Sequence, residues 1–213
     1  MSDHGPRPHL RGVSHLVAFV VAVAAGVVLG SLADGTSETI SAWVYATALA
    51  AMFGASAVYH RFPWRTESAR RWARRVDHSM IFVFIAGTYT PFALLAFEGI
   101  TRWIVLIFAW SGALLGLALN LSWIDGPRWL TVAAYIAVGW IGVIAFPQMV
   151  SHVGLGGTIL VSVGGVLYMI GAVTYAAKRP NPFPRWFGFH EIFHLLVVAA
   201  AAVQFVAVCL LVL

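Results

Sequence analysis

Long uninterrupted runs of apolar residues recur along this chain, and they constrain its fold more than any other feature. A helix needs about 20 predominantly apolar residues to cross a bilayer, and seven segments of the sequence meet that requirement. They run over Ser14–Ala33, Ser41–Tyr59, His78–Phe97, Trp103–Leu121, Trp129–Phe146, Thr158–Ala177 and Phe187–Val212. The runs are continuous rather than alternating, which disfavours membrane strands. The sequence therefore predicts an all-α membrane protein built as a seven-transmembrane helix bundle.

The composition agrees with a chain that is almost entirely embedded. Hydrophobic residues make up 61% of the 213 residues and charged residues 10%, whereas soluble domains average about 45–50% and about 25%. We expect residues 1–13 to form an N-terminal tail and residues 14–213 a single transmembrane domain. The net charge of +5 does not indicate a nucleic-acid partner, because membrane proteins concentrate Lys and Arg in their cytoplasmic loops.

The charges between the predicted spans orient the bundle. Arginine and lysine gather in the N-terminal tail and in the connections after the second and sixth spans, whereas the other side carries Asp34, Glu38, Glu98 and Arg102. The positive-inside rule therefore predicts a cytoplasmic N-terminus and an external C-terminus, with the protein in the plasma (inner) membrane. The arginines within residues 61–75 act as this topology signal, and we expect them to contact anionic lipid headgroups.

A small set of polar side chains lies where a membrane protein rarely places them without a function. Ser56 and His60 are four residues apart at the end of the second span, so they share one helix face. His190 and His194 have the same spacing at the start of the seventh span, and Asp77 opens the third. All three segments meet the same predicted side of the membrane, so these groups are expected at a similar depth near the cytoplasmic interface.

Three imidazoles and one open position form the ligand set of a catalytic zinc site. His60, His190 and His194 are the candidate ligands, and zinc bound there would make hydroxide available at neutral pH. Asp77 is a candidate to accept the proton of the attacking water or to hold a ligand in place. Ser56 is a candidate donor to a developing oxyanion. Asp77 also has a simpler interpretation as the cap of the third helix.

Two other histidines receive a simpler interpretation. His15 lies at the edge of the first span and His78 points away from Asp77, so both are expected to contact lipid headgroups.

The segment from His190 to His194 also contains the pattern H-E-x-x-H, in which Glu191 would be the general base of a metallopeptidase. An intramembrane peptidase is therefore a rival hypothesis, although it leaves His60 and Asp77 without a role.

Several segments taken together resemble the hemolysin III family. They are Ser56–His60, Arg75–Ser79, Ala86–Phe92, Lys178–Pro182 and Phe189–His194. This family belongs with the progestin and adipoQ receptors, which include the adiponectin receptors. The resemblance implies a seven-helix bundle with a cytoplasmic N-terminus. It also implies zinc held near the cytosolic side by His60, His190 and His194, with Asp77 and Ser56 at the positions of the motif carboxylate and serine.

The resemblance also implies an activity. Eukaryotic relatives are associated with ceramidase-like hydrolysis of lipid amides, and bacterial relatives with haemolysis and membrane-fluidity homeostasis. We therefore expect a zinc-dependent hydrolase of lipid amides or esters, with a membrane lipid as its substrate or ligand. Adiponectin receptors carry glutamine at the position of Glu191, which argues against that residue as the base, and many relatives carry histidine where this chain has Gln204.

Three alternatives stay open beside the lipid hydrolase. One is a non-enzymatic membrane sensor with a structural zinc, and another is the H-E-x-x-H peptidase. The third is a hemolysin-like pore-former, against which the spans argue because they carry few charges and no polar lumen face.

Overall fold

A computed structural model describes residues 8–213, so residues 1–7 of the predicted N-terminal tail lie outside the described residues. Regular structure in the described part is helical, apart from one isolated bridge between Phe183 and Phe187. The helices are α1 (Val13–Leu32), α2 (Thr36–Arg61), α3 (Glu67–Leu95), α4 (Gly99–Ser122), α5 (Arg128–Gly139), the single turn α6 (Phe146–Gln148), α7 (Gly154–Ala177) and α8 (Phe189–Val212). The predicted all-α class is confirmed.

Six helical stretches are long and apolar enough to cross a membrane, which makes the chain a multi-pass membrane protein. Five of them are α1, α2, α3, α4 and α8, and the sixth is the 49-residue stretch Trp129–Ala177. A 3-10 turn over Trp140–Ala145, the short α6 and a π-helical turn over Met149–Val153 interrupt this stretch and separate α5 from α7. The prediction of seven spans depends on whether these 49 residues cross the membrane twice.

Helix α3 begins at Glu67, well before the span predicted to start at His78. Thr66 caps this helix, because its hydroxyl oxygen accepts a hydrogen bond from the Ala69 backbone N–H at 3.2 Å. The arginine-rich segment therefore continues directly into the membrane-spanning part of α3, and Asp77 lies inside the helix rather than at its cap. The alternative role of Asp77 as a helix cap is wrong.

Small residues allow neighbouring helices to pack closely. A Cβ atom added at Gly26 would lie 2.7 Å from the Ala46 Cβ, and one added at Gly116 would lie 2.4 Å from the ring of Phe82. These glycines therefore bring α1 against α2 and α4 against α3, as small residues do in membrane bundles. Packing of α8 against α1, α2 and α3 then gathers the start of α8, the end of α2 and the start of α1 in one region.

Candidate metal centre

Three histidines from two helices converge at one end of the bundle. His60 lies in the last turn of α2, and His190 and His194 lie in the first two turns of α8. Side chains four residues apart on a helix project from the same face, and this face of α8 packs against the end of α2. The predicted convergence of the three imidazoles is therefore present in the structure.

The histidine side chains are close enough to share one ligand. One ring nitrogen from each of His60, His190 and His194 lies within 4.8 Å of the corresponding nitrogens of the other two. The Nε2 atoms of His60 and His190 are 3.2 Å apart. His194 is 2% exposed, and its Nδ1 atom has no hydrogen-bond partner among the described residues. The three imidazoles thus form a buried nitrogen cluster.

One pair of nitrogens in this cluster has the separation expected around a tetrahedral metal ion. Two nitrogens bound to one zinc at about 2.0–2.1 Å are separated by roughly 3.3 Å in a tetrahedral arrangement. The observed Nε2–Nε2 separation of 3.2 Å between His60 and His190 matches that spacing. Three protein ligands leave a fourth coordination position for water or substrate. The residues present can therefore hold a metal ion.

Asp77 lies beside the histidine cluster. Its Oδ2 atom is 3.9 Å from His60 Nε2 and 3.5 Å from His78 Nδ1, and the residue is 9% exposed. His78 Nδ1 lies 2.9 Å from the Arg74 carbonyl oxygen, which requires a proton on that nitrogen because a carbonyl can only accept. His78 therefore contacts Asp77 and the α3 backbone, and its interpretation as a headgroup contact is wrong.

Ser56 lies one turn before His60 on α2 and is buried. Its side chain lines the same cavity as Asp77, His190 and His194. Four of the five residues singled out from the sequence therefore line one cavity. The fifth, His60, lies beside them, with its Nε2 atom 3.2 Å from His190 Nε2.

His15 belongs to this cluster as well, although the sequence indicated a headgroup contact. The residue is 4% exposed, and its ring stacks on the ring of His194 with 3.7 Å between centroids and 5° between planes. The Phe53 ring packs edge-on against His15 at 5.0 Å. The headgroup interpretation is wrong because α1 enters the bundle beside α8. No spacing pattern links residue 15 to residue 194, so this contact could not be predicted from the sequence.

Glu191 points away from the position that a peptidase base would need. Its Oε1 atom forms an ion pair with the Arg11 guanidinium, and its Oε2 accepts a hydrogen bond from the Gly188 backbone N–H at 2.8 Å. Both carboxylate oxygens are therefore occupied in capping α8 and joining it to the chain before α1. The Glu191 side chain is 3% exposed and is absent from the cavity lining.

An elongated cavity extends from the cluster into the bundle. Its volume is about 590 Å³, and its lining includes Asp77, His190 and His194 at one end and Phe92 and Met149 toward the other. Along α3 alone the lining extends from Arg74 to Phe92, which corresponds to about 27 Å at the rise of an α-helix. The lining is largely apolar, so the cavity combines a polar head with a hydrophobic channel.

A sequence profile described as Haemolysin-III related matches residues 4–205. The chain belongs to the hemolysin III family. This match covers all the elements that form the histidine cluster, from the start of α1 to most of α8. It confirms the relationship that the five sequence segments indicated, including the connection of this family with the adiponectin-receptor-like proteins.

Curated relatives of this hemolysin III family member occur in bacteria and in mammals. The chain is 27% identical to Hemolysin-3 of Bacillus cereus over 92% of its length and 87% of that relative. It is equally similar to the human Monocyte to macrophage differentiation factor, over 92% of this chain and 80% of the human protein. The chain is 34% identical to the Hemolysin-3 homolog of Bacillus subtilis, but that alignment spans only 62% of this chain and 60% of the relative.

Gln204 lies deeper in the cavity of this family member, ten residues along α8 from His194. It is 7% exposed, and its Oε1 has no hydrogen-bond partner among the described residues. At about 1.5 Å per residue, Gln204 is about 15 Å from His194 along the helix axis, so it is too far away to be a ligand of the same metal.

Proposed function

We propose that this protein is a zinc-dependent hydrolase of lipid amides or esters, embedded in the plasma membrane and acting in membrane homeostasis. The observation that carries the proposal is the position of the three-histidine cluster at the head of an apolar cavity. A metal site that only stabilised the fold would not need a channel of about 590 Å³ leading to it. Membrane lipids have the matching chemistry, because an amide or ester carbonyl joins a polar headgroup to a long acyl chain.

The proposed topology has seven spans, with α5 and α7 as separate crossings. The Glu98 backbone N–H donates to Gln148 Oε1 at 2.9 Å, which supports placing the α5–α7 connection on the same side as the α3–α4 connection. Arg74 Nη1 donates to Asp125 Oδ1 at 3.0 Å, which supports placing the start of α5 on the opposite side. The chain would then return through α7 to the side of Asp125. The arginine distribution supports a cytoplasmic N-terminus.

In the proposed reaction, His60, His190 and His194 hold the metal. A zinc ion held there would supply a Lewis acid and would make water available as a nucleophile at neutral pH. Asp77 stands 3.9 Å from His60 Nε2 and accepts the proton of the attacking water at its carboxylate. The same carboxyl group can then return this proton to the leaving amine or alcohol.

Two further residues complete the proposed arrangement. His78 helps to hold the Asp77 carboxylate, since its Nδ1 atom lies 3.5 Å from Oδ2, the oxygen that is also nearest to His60. The Ser56 hydroxyl faces the cavity and donates a hydrogen bond to the carbonyl oxygen as negative charge develops there.

The cavity orients the substrate. Burying an acyl chain against the apolar lining is favourable by about 0.8 kcal/mol for each methylene group. That binding energy would fix the carbonyl group beside the cluster, where proximity lowers the barrier to attack. The phenylalanine and methionine side chains around the far end of the channel set the space for the chain terminus.

Anionic lipids are the second proposed partner, at the arginine-rich segment 61–75. Arg65 and Arg71 are exposed, as is the ring of Trp72 between them and the membrane-spanning part of α3. Aromatic rings of this kind sit at the level of the headgroups, and neighbouring arginines attract phosphate at about 1 kcal/mol each. This surface would keep the protein oriented and place it among headgroups.

The test combines metal analysis with turnover. Purified wild-type protein, given zinc and no chelator, should contain about one zinc per chain and hydrolyse members of a panel of ceramides and other lipid amides and esters. His194→Ala should lose both metal and activity, whereas Asp77→Asn should keep the metal and lose activity. Turnover that persists in metal-free His194→Ala would refute the mechanism. Zinc binding without turnover on any lipid would favour the sensor with a structural metal.

A further inference from the structure

The segment just before and at the start of α1, residues 9–15, lies across the mouth of the histidine cluster, and we call it the N-terminal strap. It is attached to the connection before α8 through its backbone. The His9 N–H donates to the Arg185 carbonyl at 3.1 Å, and the Leu10 N–H donates to the Trp186 carbonyl at 3.4 Å. His9 also packs on the Trp186 ring, with 4.6 Å between centroids. The strap is therefore fixed to the connection that leads into α8, the helix that carries two of the three candidate ligands.

The strap touches the third candidate ligand at Gly12. This residue has a φ of +79°, and a Cβ atom added to it would lie 2.5 Å from the Cβ of His60. Only glycine fits both the left-handed backbone and this close approach. The strap backbone thus packs directly on the His60 side chain at the end of α2.

The strap also contacts a candidate ligand on α8, through the stack of His15 on His194. The two rings are nearly parallel, 5° apart, with centroids at 3.7 Å. A histidine that binds a metal usually has its second ring nitrogen held by a hydrogen bond, which fixes the orientation of the ring. His194 Nδ1 has no such partner among the described residues. The His194 ring also lies near His60, His190 and Phe193. Among the described residues, His15 is the ring neighbour that stacks flat against it, and this stack restricts rotation of the His194 ring.

We propose that His15 is a positioning residue of the metal centre, which holds the His194 ring in its ligating orientation by stacking. The ring of His15 is not itself among the converging ligand nitrogens, so its role is carried through His194. Gly12 and the backbone pairing with Arg185 and Trp186 keep the strap, and with it the His15 ring, in place. This inference rests on the proposed metal site, because positioning matters only if His194 binds a metal.

The experiment compares metal affinity among full-length variants purified in detergent. The probes are Zn²⁺, measured by competition with a chromophoric chelator, and Co²⁺, whose visible absorption reports coordination geometry. His15→Ala removes the ring, whereas His15→Phe keeps a flat ring without nitrogens. His9→Ala is the matched control, because it removes a stacked histidine from the same strap at a distance from the cluster. Thermal unfolding of each metal-free protein shows whether the fold is retained.

His15→Ala should bind Zn²⁺ at least about 10-fold more weakly, which is the usual effect of losing a residue that supports a metal ligand. The Co²⁺ spectrum of this variant should also change. His15→Phe and His9→Ala should remain within about threefold of wild type. If His15→Ala does not fold, His15→Asn makes the same test, since it removes the ring and keeps a polar side chain.

Wild-type affinity in the ring-deleted variant would overturn the positioning role, and so would an equal loss in His15→Phe. A wild-type protein that binds no metal would instead refute the proposed function itself, which separates the two failures.

Discussion

The Arg11 guanidinium and the Glu191 carboxylate form an ion pair that joins the chain before α1 to the first turn of α8 across 180 residues of sequence. The Glu191 side chain is 3% exposed and the Arg11 side chain 16%. Glu191 also accepts the Gly188 N–H, so its two oxygens are used in holding the helix that carries His190 and His194. The glutamate of the H-E-x-x-H pattern could be catalytic or structural, and this arrangement favours the structural role.

Replacement of Glu191 by glutamine should lower stability and spare chemistry. Removing one partner of a buried ion pair costs about 3 kcal/mol, because the other charge stays buried without compensation. Glu191→Gln should therefore unfold at a lower temperature in detergent, while zinc content and lipid hydrolysis stay near wild type.

Asp77→Asn is the matched comparison for Glu191→Gln, since it should leave stability less affected and abolish turnover. The opposite pattern, with Glu191→Gln inactive and Asp77→Asn active, would identify the intramembrane peptidase. The double variant Arg11→Met/Glu191→Gln should lose less stability than the sum of the single variants, because neither charge is then left alone.

Much of the fold followed from elementary patterns. Apolar runs located the helices, and the i,i+4 spacing of His190 and His194 together with His60 at a span end located the histidine cluster. These features are visible because a bilayer imposes length on helices and because a helix repeats every 3.6 residues. The extension of α3 back to Glu67 was missed, since a hydropathy window registers the apolar part of a helix and not its charged continuation.

The contacts of residues 9–15 could not be predicted in the same way. His15 and Arg11 meet His194 and Glu191 only because α1 packs beside α8, and their separation in sequence follows no helical period. A lone histidine at a span edge is adequately explained by headgroups until its neighbours are known. Tertiary packing therefore decided the assignment of His15, whereas His78 is held by contacts within its own helix, with Asp77 and the Arg74 carbonyl.

Gly12→Ala should damage the metal centre both by straining the backbone and by crowding His60. Gly99→Ala is the comparison that separates these two effects. Both glycines have positive φ, +79° and +54°, but an added Cβ meets no atom within 4 Å at Gly99. Gly99→Ala should therefore lose only roughly 1–2 kcal/mol of stability, which is the cost of placing alanine in the left-handed conformation. Gly12→Ala should lose more stability and also bind zinc more weakly, because its Cβ would displace His60. Equal zinc affinity in the two variants, measured by chelator competition, would contradict the close contact.

The cavity predicts that a side chain at Gly165 will discriminate among acyl chain lengths. Gly165 lines the cavity, and an added Cβ there has open space within 4 Å. A leucine would displace roughly two methylene groups of a bound lipid, which at about 0.8 kcal/mol each corresponds to roughly a tenfold loss for long-chain substrates.

Turnover of a matched series of short-chain and long-chain lipid amides measures this effect in Gly165→Leu. Turnover of the short-chain substrates and the zinc content should be unchanged. Gly156→Leu is the control, because Gly156 has equally open surroundings but does not line the cavity. Uniform loss across all chain lengths, or the same profile in Gly156→Leu, would mean that the cavity does not hold the acyl chain.

Some arginines of segment 61–75 contact other protein side chains and others do not, and this difference makes the proposed lipid contact testable. Arg74 is bonded to Asp125 at 3.0 Å, Arg70 lies 3.9 Å from Glu67, and Arg75 stacks over the Trp72 ring at 4.7 Å. Within the part of the chain that the structure describes, Arg65 and Arg71 form no ion pair and remain exposed to bind headgroups.

Replacement of Arg65 and Arg71 by glutamine should therefore weaken binding of anionic phospholipid without unfolding the protein. At about 1 kcal/mol for each arginine near the surface, the double variant should bind roughly 30-fold more weakly at low salt, and the difference should shrink as salt screens the charges. Titration of phosphatidylserine into phosphatidylcholine nanodiscs, followed by native mass spectrometry, measures the bound lipid.

Arg102→Gln is the control for this effect. Arg102 lies at the opposite end of the bundle and donates to the Phe97 carbonyl at 2.9 Å, so its loss should leave anionic lipid binding unchanged. Equal binding by wild type and the Arg65/Arg71 variant would restrict the segment to a topology signal. If anionic lipid binding decreased in both variants, net charge in general would be the cause. A local binding surface would instead be affected only by changes at its own end of the bundle.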